Sequence, residues 1–249
     1  EIVRLLPTTY GQWLRDHFKA GRFSTTYQGE QGEKADRIAL ALEEAAMVLP
    51  EEYGGYALTG LSGRIVFERE AIGFEEVSGR LEQGEGRSAG FRLDGVYRGY
   101  EADAPFEVAV DLTGLGLQPM RGDSPLAATF NRRLELWRPS GEVDLRMSVK
   151  RDADGDLSAE GAVALNGISA RYAVFPYPVR NLKGLVRFDD ELATFDGLTG
   201  ENGPMAVTIG GWVRQRDDGE VFDVRIGARD LPLDDRLLAA VPPGAARSE

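Results

Sequence analysis

Apolar and polar residues alternate with a period of two along most of this chain, the mark of strands that present one apolar face. In Val143-Asp144-Leu145-Arg146-Met147-Ser148-Val149 the odd positions are apolar and the even ones polar. Phe106, Val108, Val110 and Leu112 alternate with Glu107, Ala109 and Asp111, and Phe222, Val224 and Ile226 with Asp223, Arg225 and Gly227. Phe91 with Leu93 and Val207 with Ile209 behave likewise. Asp154-Gly155, Asn166-Gly167, Asn202-Gly203 and Asp218-Gly219 read as turns between strands. Ala35 to Pro50 has helix-favouring composition, but its repeat partner Ala162 to Gly167 alternates, so the segment is read as strand. Helical spacing occurs in residues 1–22 (Leu5, Leu6, Tyr10, Trp13, Leu14, Phe18) and from Leu126 to Trp137, and a third helix is expected at Asp234 or Asp235.

The pattern repeats. Leu61 to Glu68 aligns with Leu182 to Asp189, and Phe74 to Gly79 with Phe195 to Gly200, both at an offset of 121. Phe106 to Val110 aligns with Phe222 to Ile226 at an offset of 116, so the second copy is five residues shorter between Gly79 and its equivalent of Gly95. Tyr10, Leu14 and Gly21 match Phe130, Leu134 and Gly141 at an offset of 120. The expected organisation is repeat unit 1 at 1–120, unit 2 at 121–236, and the opening of a third at 237–249, an excerpt from a longer protein. Tandem units of this kind form arrays whose function lies on an extended surface.

These elements predict a mainly β fold: an elongated, twisted, mostly antiparallel sheet of about six strands per unit, with one short helix per repeat. One helix cannot cover six strands. The apolar face must meet another sheet, curl onto itself or hold a ligand. About twelve strands at ~4.8 Å extend over roughly 55 Å, and an uncovered apolar strip of that length far exceeds what soluble monomers expose. The residues assigned to one concave apolar trough are Phe67, Phe91, Leu93, Phe106, Val108, Val110, Val143, Leu145, Met147, Val186, Phe188, Val207, Ile209, Phe222, Val224 and Ile226.

The formal charge of −12, with basic residues scattered among acids, argues against a nucleic-acid partner and against an anionic membrane surface. With no cysteine there is no disulfide, thiolate or Cys-based metal chemistry. His17 is the one histidine, and nothing around it in sequence completes a triad or a metal site. Asp152-Ala153-Asp154-Gly155-Asp156 has part of a calcium-loop spacing without the distal glutamate, and reads as a hairpin turn. Arg121-Gly122-Asp123 reads as a chance tripeptide in a loop, and Glu75-Glu76 and Asp189-Asp190 read as strand-end acids. Neither catalytic residues nor a cofactor or metal site is expected. Trp13, Trp137 and Trp212 read as core or interface aromatics, with trough lining as the sharper alternative.

Trp137-x-Pro139-Ser140-Gly141-x-Val143-Asp144-Leu145, then Tyr172-x-Val174-Phe175-Pro176-Tyr177-Pro178-Val179-x-Asn181-Leu182-x-Gly184-x-Val186-x-Phe188, then Gly200 to Gly211 and Leu231-Pro232-Leu233 carry a resemblance. The run resembles the repeating units of AsmA-like proteins of bacterial envelopes, the group that includes TamB and YhdP, which are similar to the bridge-like lipid transfer proteins. In the first unit Leu49-Pro50-Glu51-Glu52-Tyr53 replaces the aromatic–proline pairs. The resemblance implies a curved sheet folded into a trough, part of an inner-membrane-anchored periplasmic protein that moves phospholipid between membranes. Its partners would be phospholipid acyl chains. A sixteen-carbon chain gains about 13 kcal/mol on leaving water, at ~0.8 kcal/mol per methylene, which an apolar trough supplies and a polar tunnel does not. The competing expectation is a structural or adhesive β array with a sealed core and no lipid cargo.

Overall fold

The computed structural model describes residues 18–28, 37–49, 51, 54–101, 103–122, 125–173, 176–216, 219–232 and 235–240. The described strands are β1 Phe18–Gln28, β2 Arg37–Val48, β3 Ala57–Glu68, β4 Ile72–Gly84, β5 Arg87–Tyr97 and β6 Phe106–Gly116, then β7 Glu142–Arg151, β8 Leu157–Ala170, β9 Val179–Phe188, β10 Leu192–Asn202, β11 Met205–Arg216 and β12 Gly219–Arg229. The helices are α1 Pro125–Trp137 and α2 Asp235–Ala240. The strands hydrogen-bond in chain order from β1 to β12 in one antiparallel sheet, as expected for short connections between one-faced strands. No helix among the described residues is long and apolar enough to cross a membrane.

Contacts divide the chain into two compact units, residues 1–114 with 146–160, and residues 115–145 with 161–249. In the first unit the buried core is Ile38, Leu40, Leu42, Ala45, Leu61, Ile65, Phe67 and Val77, with Phe18, Phe23, Phe74, Phe91 and Leu93 packed against it. All of these lie on β1–β5, so among the described residues this cluster is built from side chains of the sheet itself. In the second unit Val143, Ile168, Leu182 and Leu198 form one buried cluster, and Tyr177, Met205 and Val207, with Leu237 of α2 against them, form another.

Helix α1 is bounded by local chemistry. Pro125 opens it, where a missing N–H costs nothing, and Arg138 closes it in the left-handed region (φ 40°) before Pro139. The carbonyls of Leu136 and Trp137 accept from the N–H groups of Ala173 (2.8 Å) and Arg171 (2.9 Å) just past β8. The Trp137 and Tyr172 rings lie 4.5 Å apart. Asn131 holds the preceding loop with two bonds to the Met120 backbone, at 2.7 and 3.0 Å.

Three expectations are corrected. The helix expected over 1–22 does not include Phe18 or Gly21: both are in β1, where Phe18 pairs with Met47 and stacks edge-on against Phe23 at 5.4 Å. Sheet pairing satisfies that backbone and Gly is a poor helix former. Tyr10, Trp13, Leu14 and His17 lie outside the described residues. Asn166-Gly167 is not a turn but a bulge inside β8, with Gly167 at φ 91°. Glu75-Glu76 is not at a strand end but inside β4, where Glu76 has φ 51°.

Candidate binding surface

Register decides which side chains share a face, because antiparallel partners point the same way. In the first unit Phe67 pairs with Ile38 and Ile72, Ile72 with Tyr97, and Tyr97 with Phe106. Leu93 pairs with Val77 and Val110, Phe91 with Gly79 and Leu112, and Gly95 with Phe74 and Val108. Phe67, Phe91, Leu93, Phe106, Val108 and Val110 therefore lie on one face. Met147 joins them: Arg146, its neighbour in β7, pairs with Asp111 on the opposite face at 2.7 Å.

The second unit repeats this. Phe188 pairs with Ala193, Ala193 with Val213 and Val213 with Phe222. Val186 pairs with Phe195, Phe195 with Gly211 and Gly211 with Val224, while Ile209 pairs with Leu198 and Ile226, and Val207 with Gly200. Phe188, Val186, Val207, Ile209, Phe222, Val224 and Ile226 share a face there, and Val143 is buried in the same cluster as Val186 and Ile209. Leu145 follows Val143 by alternation on β7 and is half-buried.

Constant alternation does not produce these faces. The apolar set of β4 is even-numbered up to Phe74 and odd-numbered from Val77, and the pairing with β5 slips between those residues. Glu76 is the inserted residue; its N–H donates to Asp94 at 2.7 Å. The second unit slips likewise between Phe195 and Leu198, at Gly197 (φ 62°). A bulge adds one residue and so restores the apolar set to the same face. The phase slip is visible in the sequence as two consecutive polar residues, Glu75-Glu76 and Asp196-Gly197. The apolar faces also hold Leu40, Leu61, Ile65, Phe74, Val77, Leu182, Phe195 and Leu198, which the reading of the sequence did not assign to them.

The left-handed backbone positions recur in register. Glu44 and Gly167, Gly60 and Asn181, Gly63 and Gly184, Glu76 and Gly197, and Gly114 and Asp230 are repeat partners, and every one has positive φ. Two glycine pairs show where the strands approach closely. A Cβ on Gly63 would meet the Glu76 carbonyl at 2.5 Å, and one on Gly184 would meet Leu198, the repeat partner of Val77, at 2.6 Å. A Cβ on Gly95 would lie 2.8 Å from Val108 Cα, and one on Gly211 would lie 3.0 Å from Val224 Cα. By register these glycines are on the apolar face. At these positions the neighbouring strand leaves no room for a methyl group on the apolar face.

The opposite face is ionic and solvated. Arg37 reaches Glu68 (3.4 Å) and Glu75 (3.2 Å), Arg64 reaches Glu75 (3.4 Å), and Arg92 bridges Glu76 (2.9 Å) and Asp94 (3.2 Å). Asp94 and Glu76 raise the Arg92 pKa above its ordinary value. Val66, buried and paired with Ala39 and Gly73, is an apolar exception there. Trp212 also belongs to this face: it pairs with Thr194 and Asp223, beside a shallow depression that Arg187, Asp196 and Arg225 also line. Trp137 is 43% exposed at the end of α1, so neither ring lies in the apolar rows of β10–β12.

Coverage differs between the units. Leu40, Leu61, Ile65 and Phe67 are no more than 5% exposed. On β12, Phe222 is 67% and Ile226 68% exposed. The Asp152 carboxylate accepts from the N–H groups of Asp154 (2.9 Å) and Asp156 (3.0 Å), the arrangement of a turn. Among the described residues no group of three His, Cys, Asp or Glu is placed to hold a metal ion. No protein-family model matches the chain, and no curated protein or solved structure is found to be similar to it.

Proposed function

We propose that the apolar faces form a lipid-conducting surface, and that this chain is a segment of a periplasmic, inner-membrane-anchored bridge carrying phospholipid between membranes. The reading joins the resemblance to AsmA-like envelope proteins with one structural observation. In each unit the apolar side chains stand in register on one face, while ion pairs lie on the other. Acyl chains need a continuous apolar lining without unpaired polar groups, because a buried unpaired charge costs several kcal/mol. Similar positions repeated strand after strand let a chain slide rather than lodge.

A second reading has an observation of its own. In the first unit Leu40 and Leu61 are each 1% exposed, as in a sealed structural array. Photo-reactive residues separate the two. Placed at Ile209 or Val224, they should attach to phospholipid in cells, detected by mass spectrometry of the purified protein. At Thr208 or Arg225, on the opposite face, they should not. Equal labelling of both faces, or no lipid at either, refutes the conduit. Labelling in the second unit but not at Leu93 or Val110 would confine it to the open unit.

A further inference from the structure

We propose that the depression around Trp212, on the ionic face of the second unit, is a saccharide subsite in which a pyranose ring of a glycan stacks on the indole. The proposal is independent of lipid transport and rests on how the two repeat copies differ at this place. In the first unit three charged residues close the β4 bulge. Asp94 accepts from the Glu76 N–H at 2.7 Å, and Arg92 holds both Glu76 (2.9 Å) and Asp94 (3.2 Å). The repeat partners of Glu76, Asp94 and Arg92 are Gly197, Gly210 and Thr208, so all three ionic side chains are gone. The bulge itself is kept, with Gly197 at φ 62° where Glu76 has 51°. A Cβ on Gly210 would meet nothing closer than 3.7 Å and would lie 3.9 Å from the Gly197 nitrogen. The space that the Asp94 carboxylate takes in the first unit therefore receives no side chain from β11 in the second.

The surroundings have changed as well. Val66, Gly73 and Val96 pair across β3, β4 and β5. Their repeat partners Arg187, Thr194 and Trp212 pair in the same way across β9, β10 and β11. An apolar row has become a half-buried aromatic ring followed by a hydroxyl and a guanidinium. The Arg214 guanidinium stands 6.0 Å from the Trp212 ring centre and braces it. Asp196, with Asp223 and Arg225 at 3.4 Å from each other, completes the rim of a depression of about 370 Å³. A pyranose carries C–H groups on its faces and hydroxyls around its edge, so it needs an aromatic surface ringed by both donors and acceptors. Here Arg187 donates, the Asp196 carboxylate accepts and Thr194 does either. The two arginines and two aspartates of the lining cancel, so a free anion gains no net attraction.

Titration of the whole chain with chitotetraose and, separately, with maltotetraose tests this by NMR. Saturation transfer from the protein should reach the ring C–H protons of at least one tetrasaccharide, and the Trp212 indole N–H resonance should move while that of Trp137 does not. Gly210→Asp restores the first unit's residue at a position with room for a Cβ and no positive φ, so its backbone spectrum should otherwise match the wild type. It should weaken saccharide binding about tenfold or more, and so should Trp212→Ala. Absence of transfer to both tetrasaccharides, unchanged affinity in either variant, or a Trp212 resonance that moves with inorganic phosphate and with neither sugar overturns the proposal. The indole shift is read on the wild type, so a variant that fails to fold leaves the proposal open to refutation.

Discussion

Gly95 and Gly211 sit where β5 and β11 pass their neighbours most closely, and a methyl group there has no space that a side-chain rotation would free. The obstructing atoms are backbone: Val108 Cα at 2.8 Å for Gly95 and Val224 Cα at 3.0 Å for Gly211. Gly95→Ala is expected to cost about 1–3 kcal/mol of unfolding free energy in chemical denaturation, as overpacking does. Gly211→Ala should cost more, since φ there is 137°. Gly60 has the same sign of φ (60°) but nothing within 4 Å, and its repeat partner is Asn181 at φ 51°. Gly60→Asn should therefore change stability by less than about 0.5 kcal/mol. If all three variants behaved alike, close approach would not be the reason for the glycines. The repeated glycines were legible in the sequence as aligned letters. Which need space and which need only φ was not, because that depends on how near the partner strand runs.

Asp189 gives a pH-dependent case at the same scale. Its carboxylate accepts from the N–H groups of Leu192 (2.8 Å) and Glu191 (3.0 Å), and those bonds hold its pKa below the ordinary aspartate value. A depressed folded value means the stabilisation is fully present above the unfolded pKa and is lost as pH falls through the folded one. The β9–β10 turn should hold through neutral and mildly acidic pH and loosen only below about pH 4. A carboxyl titration by NMR should place Asp189 below its value in the unfolded peptide, and Asp189→Ala should abolish that acid transition in the turn amides. A midpoint at or above the unfolded value would remove the turn from the account.

Elements carry information that single residues do not. The five-residue difference between the copies is now explained by one hairpin. Past Gly79, β4 and β5 make four further pairs with Gln83 bulged, whereas past Gly200, β10 and β11 make two. Two additional pairs and one bulged residue account for five, and Gln83 is the buried polar residue of that hairpin. Strand type and order were legible from alternation and short connections, including β2, where composition favoured a helix. Bulge positions were not, since a doubled polar residue within a strand looks like a strand end until pairing is known. Helix α1 offers the sharpest test at this scale. Asn131 closes both backbone groups of Met120, so Asn131→Ala leaves a partly buried N–H and C=O unpaired. A loss of about 1–3 kcal/mol is expected, with faster hydrogen exchange at residues 117–122 measured by mass spectrometry. Unchanged exchange there would mean the loop is held by other contacts.

At the scale of the whole molecule, a net charge of −12 coexists with largely apolar faces, because most ionic residues are sorted to the other side of each strand. That sorting makes a matched experiment possible on one strand. Ile209 and Thr208 are neighbours on β11, Ile209 paired with Ile226 on the apolar face and Thr208 paired with Gly227 on the other. An aspartate at either site changes net charge equally. On the proposed conduit Ile209→Asp puts an unpaired carboxylate beside an acyl chain, at a cost of several kcal/mol. Passage along a groove is a series of steps, so one such barrier stops flow regardless of how favourable the remaining positions are. Val224→Asp and Leu145→Asp should act in the same way. Thr208→Asp remains solvated and should leave transport intact. The expected result is loss of phospholipid labelling and of growth complementation by the parent protein for the three apolar-face variants only, with circular dichroism unchanged in all four. Full complementation by the apolar-face variants, with the fold retained, would refute the conduit and leave the sealed array.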